Sequence, residues 1–567
     1  MFASGGTAVK HRFVVLSVLV FATLALAQTK SSAPAGKSPV SKTAAGKISP
    51  DALRAHVRFL SDDLLEGRGT ATRGHEIAAK YVASEFESMG LKPGGDDGTF
   101  FQRVPFRQAI VEPTHSSVVI TGNDSAQTLR FEDDYLSTGD YLRTDTTAQG
   151  PIVFVGFGIT APELNHDDYK GVDVKDKIVA VFPGAPAKWE STQRAYYSST
   201  YLKGQSAAKH GAIGVITLWD PEIEKRASWP RMIRQTRLPA LRTLAQKGQP
   251  LDTFPELHGA IIMSLAKGRE LFKAANRDLD QAYNDAEADN GKRVDLPFTA
   301  NIHLLTEHKE TSSPNVVAIL PGSDPKLKNE YIVLSAHLDH LGIGTPVKGD
   351  SIYNGAYDNA SGSAALIEIA RAFSKLPVHP KRSLIFLNDT GEEKGLQGAY
   401  YFAFNPTVPI EKIVGNINMD ELNSFFPLKD VVGFGAEHTS MKADLDAAAK
   451  AVGFKVSPDP FPEETIFIRS DQFPFARRGI PAIFVTPGLN SSDPKIDSHA
   501  IYEEWLKNRY HSPQDDMSQP FDWKEGARLA DVDFLIAQRV ANAPQPPHWN
   551  KGDFFGQKFG KGAAAAK

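Results

Sequence analysis

From Asn315 onward the chain alternates two kinds of segment. The apolar runs VVAILPG, YIVLSAH, SLIFLND, IVGNINMD and PAIFVTPG are separated by stretches of helical periodicity, one through residues 360–375 and one near 440–452. Short, nearly continuous apolar runs suit strands buried on both faces. Parallel neighbours of that kind need a crossover, usually a helix, to join them. The alternation therefore predicts an α/β fold, a mixed and mainly parallel sheet flanked by helices. It also says where to look for chemistry, because ligands of such sheets bind beyond the carboxyl ends of the strands.

The remaining chain divides by texture. Ser49-Pro50 reads as a helix start, with an N-capping serine and proline in the first turn, followed by Leu53, Val57, Leu60 and Leu64 at helical spacing. A second helix carries Ala78, Val82, Phe86 and Met89 and stops at Gly90. A last one uses Leu529, Val532, Ile536 and Val540. Residues 136–295 change to short β-rich runs such as PIVFVGFG, KIVAVFPG and GAIGVITLWD between turns, the pattern of a separate module inserted between residues 49–135 and 296–545. Residues 28–48 have linker composition, and residues 546–567 end in the low-complexity GKGAAAAK. Lys10, His11 and Arg12 precede an apolar run, Phe13–Leu26, that closes on Ala25-Leu26-Ala27. The run is shorter than the roughly 20 residues needed to cross a bilayer, so residues 1–27 read as a cleaved signal peptide, with a secreted or periplasmic product and no stable membrane insertion.

Composition narrows the chemistry. With 63 Lys and Arg against 67 Asp and Glu there is no basic field for nucleic acid, and with no cysteine there are neither disulfides nor thiolate metal sites. Five loci remain at or beside strand ends: His337-Leu338-Asp339, Asp358 in GAYDNASG, Glu392-Glu393, Asp420 and His511. Two histidines with several carboxylates form a nitrogen and oxygen donor set suited to zinc, cobalt or manganese. Their number fits two ions sharing one carboxylate, and the Glu392-Glu393 pair offers one ligand and one proton carrier. Asp339, two residues beyond His337, is placed to receive the second imidazole N–H and fix the tautomer.

The pieces HLDHLG, GAYDNASG, TGEEKGLQGA, NINMD, RSDQFPFARRGIPA and YHSPQDD occur in this order. Together they resemble the co-catalytic di-zinc exopeptidases, the family of bacterial leucyl-type aminopeptidases and glutamate carboxypeptidases, over about residues 49–135 and 296–541. The segment between looks like the protease-associated domain often inserted there. The resemblance implies two zinc ions per chain, replaceable by Co2+ or Mn2+, and peptide substrates. It implies His337 and Asp420 on one ion, Glu393 and His511 on the other, Asp358 as the bridge, Glu392 as general base, and a non-proline cis peptide after Asp358. Two positions depart from the family pattern, Gln472 after the Ser-Asp of RSD and Glu421-Leu422-Asn423 after Asp420, and both bear on substrate preference. An aminopeptidase is the first expectation, since no arginine cluster for a terminal carboxylate stands out; Arg469, Arg477 and Arg478 keep a carboxypeptidase open. A non-catalytic receptor-like protein and a one-metal glutaminyl-cyclase-like enzyme are further alternatives.

Other signals fit plainer roles. Gly156-Phe157-Gly158 imitates a dinucleotide fingerprint, but Pro162 follows and no helix opens, so a turn is expected. His75-Glu76 lacks the second histidine of a zinc helix and is expected on a solvated face. Ser361 and Ser363 are expected to cap or pack, and Tyr357 and Phe473 to belong to the core.

Overall fold

The computed structural model describes residues 48–122, 125–244 and 248–560. The segments expected to be a signal peptide (1–27) and a linker (28–48), apart from residue 48, and the last residues of the tail lie outside them. Among the described residues no helix is long and apolar enough to cross a membrane.

The architecture is mixed α/β. At the centre of the larger sheet the strands Ser383–Asp389, Tyr331–His337, Ile413–Asn418 and Ala482–Pro487 run parallel in that spatial order. Antiparallel strands flank them: Val294–Leu320 beside Ser383–Asp389, and Asp430–Phe434 beside Ala482–Pro487. Helices Ser361–Ser374 and Trp523–Asn542 cover the sheet and bury continuous apolar stripes, including Leu529, Val532, Ile536 and Val540.

Val294–Leu320 joins two sheets. Its second half pairs with Phe101–Val111 and Ser383–Asp389, whereas its first half pairs with Ser117–Gly122 and Asp145–Phe154 in a smaller sheet. That sheet continues in parallel through Ile178–Val181, Gly214–Leu218 and Ala260–Met263. Helices including Thr200–Lys209 and Leu265–Ala274 accompany these strands, so the inserted region is itself α/β. One of its segments leaves it. Helix Trp229–Thr236 leads into Ala240–Thr243, which pairs with Phe101–Val111 in the larger sheet.

Local differences from the sequence expectations have local causes. The first helix starts as expected, the Ser49 hydroxyl accepting from the Ala52 N–H, but ends at Leu60. Asp62 caps a new turn by accepting from the Leu64 N–H, and Leu64 is left 81% exposed. The second helix spans Arg73–Ser88 and Gly90 takes the left-handed conformation, φ 74°. His75 is not on a solvated face. It is wholly buried with Nε2 3.1 Å from the Pro314 carbonyl, while Glu76 pairs with Arg103 at the surface. The Gly156–Gly158 segment is a turn, with the Ile159 N–H donating to Asp168. Ser361 and Ser363 donate to the Tyr357 and His337 carbonyls, and Tyr357 and Phe473 are buried.

Candidate metal centre

The chain collects its candidate groups beyond the carboxyl ends of the parallel strands. His337 is the last residue of its strand, Asp420 lies two residues after Asn418, and Glu392-Glu393 opens the turn three residues past Asp389. Asp358 lies in the tight segment before helix Ser361–Ser374, and the Asp358–Asn359 peptide is cis. His511 comes from the loop after helix Ser498–Asn508.

Asp358 stands between two groups. Its Oδ1 is 3.3 Å from His337 Nε2, which is 3.2 Å from Asp420 Oδ1. Its Oδ2 is 3.2 Å from His511 Nε2, which is 3.3 Å from Glu393 Oε2. The triads His337, Asp358, Asp420 and His340, Asp358, Glu393 each bring their donor atoms within 4.8 Å of one another. One carboxylate thus faces two clusters of hard nitrogen and oxygen donors, a set that fits a pair of divalent ions. All five sequence-derived ligand candidates meet here.

The supporting contacts are specific. His337 Nδ1 donates to the Asp339 backbone carbonyl at 3.1 Å, leaving Nε2 for the cluster. This corrects one expectation, since the Asp339 carboxylate lies 4.0 Å away. Instead it accepts from the Thr70 hydroxyl at 2.7 Å and the Glu392 N–H at 3.2 Å, so Asp339 anchors the Glu392 turn. Asp420 Oδ2 accepts from Ser470 at 2.9 Å. Asp515 accepts the N–H groups of Tyr357 and Asp358 and fixes the bridging segment. Buried Arg68 donates to the carbonyls of Leu338, Asn354 and Gly355, tying the His337 and Asp358 loops together.

Charge is concentrated among buried side chains. Burial, together with the fields of Asp471, Glu393 and Asp420, holds the Glu392 carboxyl well above its usual range despite His337. Burial and neighbouring Asp358 and Asp339 push Glu393 up to about 7 against the pull of His511. Burial opposes ionisation of Asp358 too, but hydrogen bonds from His337 and His511 and the charge of His340 hold it well below the usual range. Burial raises Asp389 to about 7, and burial with the charge of Asp389 raises Asp471 well above its usual range.

Sequence reasoning did not single out His340, Arg68, Thr70, Ser470, Asp515 or Gln235. His340, Ser470 and Asp515 sit inside the motifs HLDHLG, RSDQFPFARRGIPA and YHSPQDD and were findable there. Gln235 was not. It belongs to helix Trp229–Thr236 of the inserted region, and its Nε2 lies 3.1 Å from His511 Nδ1. Were His511 Nε2 to face a cation, Nδ1 would carry the proton, and the Gln235 amide, turned over, would accept it. Arg231, Gln235, Leu238, Tyr353 and His511 line a narrow cleft there.

Residues 315–536 match Peptidase family M28. Among curated proteins, Leupeptin-inactivating enzyme 1 of Streptomyces exfoliatus is 28% identical over 265 residues, 45% of this chain and 55% of that protein. A probable glutamate carboxypeptidase of Arabidopsis thaliana is 21% identical over 510 residues, 81% of this chain and 63% of that one. The chain thus spans little more than half the length of the first of these relatives. Among solved structures, an aminopeptidase from Aneurinibacillus sp. strain AM-1 superposes with a TM-score of 0.51 at 21% identity, covering 87% of this chain and 94% of that one, a likeness of fold.

Proposed function

With residues 315–536 carrying a Peptidase family M28 domain, we propose that the chain is an exported zinc exopeptidase that removes residues from the amino terminus of peptides. The observation that carries the reading is Asp358, whose two oxygens face two separate donor clusters, with Glu392 in the field of His337, Glu393 and Asp420. Two zinc ions held there would polarise the scissile carbonyl and acidify a water between them. Glu392 takes a proton from the attacking water and returns it to the leaving amine. Asp339 holds the Glu392 turn, and Ser470 orients Asp420.

Glu421 supports the amino-terminal preference. It follows Asp420, and burial with the charges of Asp358 and Asp420 holds its carboxyl well above the usual range, a cost that a substrate ammonium beside it would offset. A carboxypeptidase reading is favoured by two cations: Arg231 stacks over Tyr510 at 5.1 Å, and Arg469 lies within the field of Glu392. Arg477 and Arg478 are engaged elsewhere, over Tyr400 and Phe404. Export is supported by the order of basic, apolar and small residues over 10–27. The inserted region is proposed as a protease-associated domain that also borders the cleft.

The test is a peptide pool, half with free and half with blocked amino termini, incubated with purified protein with and without chelator and read by mass spectrometry. Ladders from free amino termini that vanish with chelator support the proposal. Ladders from carboxyl termini support the second reading, and a pool untouched in the presence of zinc overturns both.

A further inference from the structure

His340 follows Asp339 in HLDHLG and is absent from the ligand set that the family resemblance implies. Its side chain has no exposed surface, and neither ring nitrogen has a hydrogen-bond partner. A buried imidazole in that condition is costly, since each polar nitrogen has lost water without replacement. The nearest atom to Nδ1 is informative. Glu393 Oε1 lies 2.6 Å away, and it too lacks a hydrogen-bond partner. The pair is close enough for a strong hydrogen bond but not aligned for one. Two donor atoms side by side without a hydrogen bond between them, with an Asp358 oxygen in the same 4.8 Å cluster, are disposed as ligands of one cation are. Asp358 Oδ1 is 3.9 Å from the same nitrogen, and the His511 ring centroid is 5.9 Å from that of His340.

The ring is held in this pose. Gly355, at φ 58°, lets the backbone pass so near that a Cβ there would come within 2.5 Å of the His340 Cγ. The His340 N–H donates to the Arg68 carbonyl at 3.2 Å.

We infer that His340 is a ligand of the ion on the Glu393 side, so that this ion has four protein donors, His340, Asp358, Glu393 and His511, while the ion on the Asp420 side has three, His337, Asp358 and Asp420. The inference rests on the two-ion reading of the cluster. Four protein donors close a tetrahedral shell, whereas three leave a position for substrate. The two ions therefore differ in role: the Glu393-side ion is the tighter and more structural, and the Asp420-side ion the exchangeable one.

The experiment uses the full chain loaded with Co2+ and counts paramagnetically shifted, exchangeable imidazole N–H resonances. Three are expected, from His337, His340 and His511; two overturn the inference. A His340→Phe variant, checked for wild-type thermal unfolding in the metal-free form, is titrated with Zn2+ against a competing chelator. One of the two sites is expected to weaken by more than about 100-fold, above the about 10–100-fold typical of groups that only orient a ligand, and the other to change less than about threefold. A smaller loss, or an equal loss at both sites, overturns the inference. Wild-type protein that holds fewer than two ions per chain overturns the two-ion reading and this inference with it, a result separable from a His340 that does not ligate.

Discussion

Two regions of this molecule are built from the same part, a run of parallel strands with helices against them, and they use its carboxyl edge in opposite ways. In the inserted region the polar groups at that edge are consumed. Asp220, after Gly214–Leu218, caps the next helix by accepting from the N–H groups of Glu222 and Ile223. Ser264, after Ala260–Met263, accepts from the Lys267 N–H. The carbonyls of Phe157 and Gly184, beyond the other two strands, both accept from the buried Lys203 Nζ. In the larger sheet the corresponding groups, His337, Glu393 and Asp420, converge on one another around Asp358. A parallel sheet supplies an edge; a site arises where the polar groups at that edge are not spent on the fold. Gln235 joins the two regions at the site itself, since it comes from the insert and reaches His511.

The comparison breaks most visibly at Asp358. Asp358→Ala removes the shared carboxylate, and both ions and all peptidase activity above the metal-free background are expected to go, read by elemental analysis and turnover. Glu392→Gln should keep both ions and lower kcat by about 100- to 10,000-fold, the span of a lost general acid–base group; retained turnover would remove Glu392 from its role. Gln235→Leu tests the crossing between regions, with an expected loss of about 10–100-fold in affinity on the His511 side, measured by chelator competition.

Two smaller effects belong to the insert and should leave metal content and turnover unchanged. Burial lowers the Lys203 pKa to about 7, so between about 7 and the ordinary 10.5 the folded protein holds the amine neutral while the unfolded chain binds a proton. The folded state is thus penalised progressively as pH falls through that window, and the penalty is complete below about 7. Wild type should gain stability relative to Lys203→Met, up to a few kcal/mol, as pH rises from about 7 to 10.5 in denaturant titrations. Asp220→Ala should cost about 1 kcal/mol, the usual value of a lost helix cap.

What was legible in the sequence follows the same division. Strands and helices of the larger sheet were readable because both buried faces impose period and length, and the ligand candidates because they sit at strand ends. Contacts set by distant backbone were not. His75 is buried by the Pro314 carbonyl, 239 residues away in sequence. The helical spacing that runs on to Leu64 cannot show that Asp62 starts a new turn first. Asp339 was correctly placed beside His337, but whether its carbonyl or its carboxylate faces the ring depends on Thr70 and Glu392, which compete for the carboxylate. Gln235 carried no signal, because a glutamine on a short polar helix looks like any solvated residue until the fold lays it on His511.

The central claim is that Asp358 bridges two cations. The most direct test is a crystal of the zinc-loaded protein measured on either side of the zinc absorption edge. Two anomalous peaks about 3.5–4 Å apart, one beside each Asp358 oxygen, are the predicted result; a single peak, or two peaks that do not share Asp358, would contradict the account.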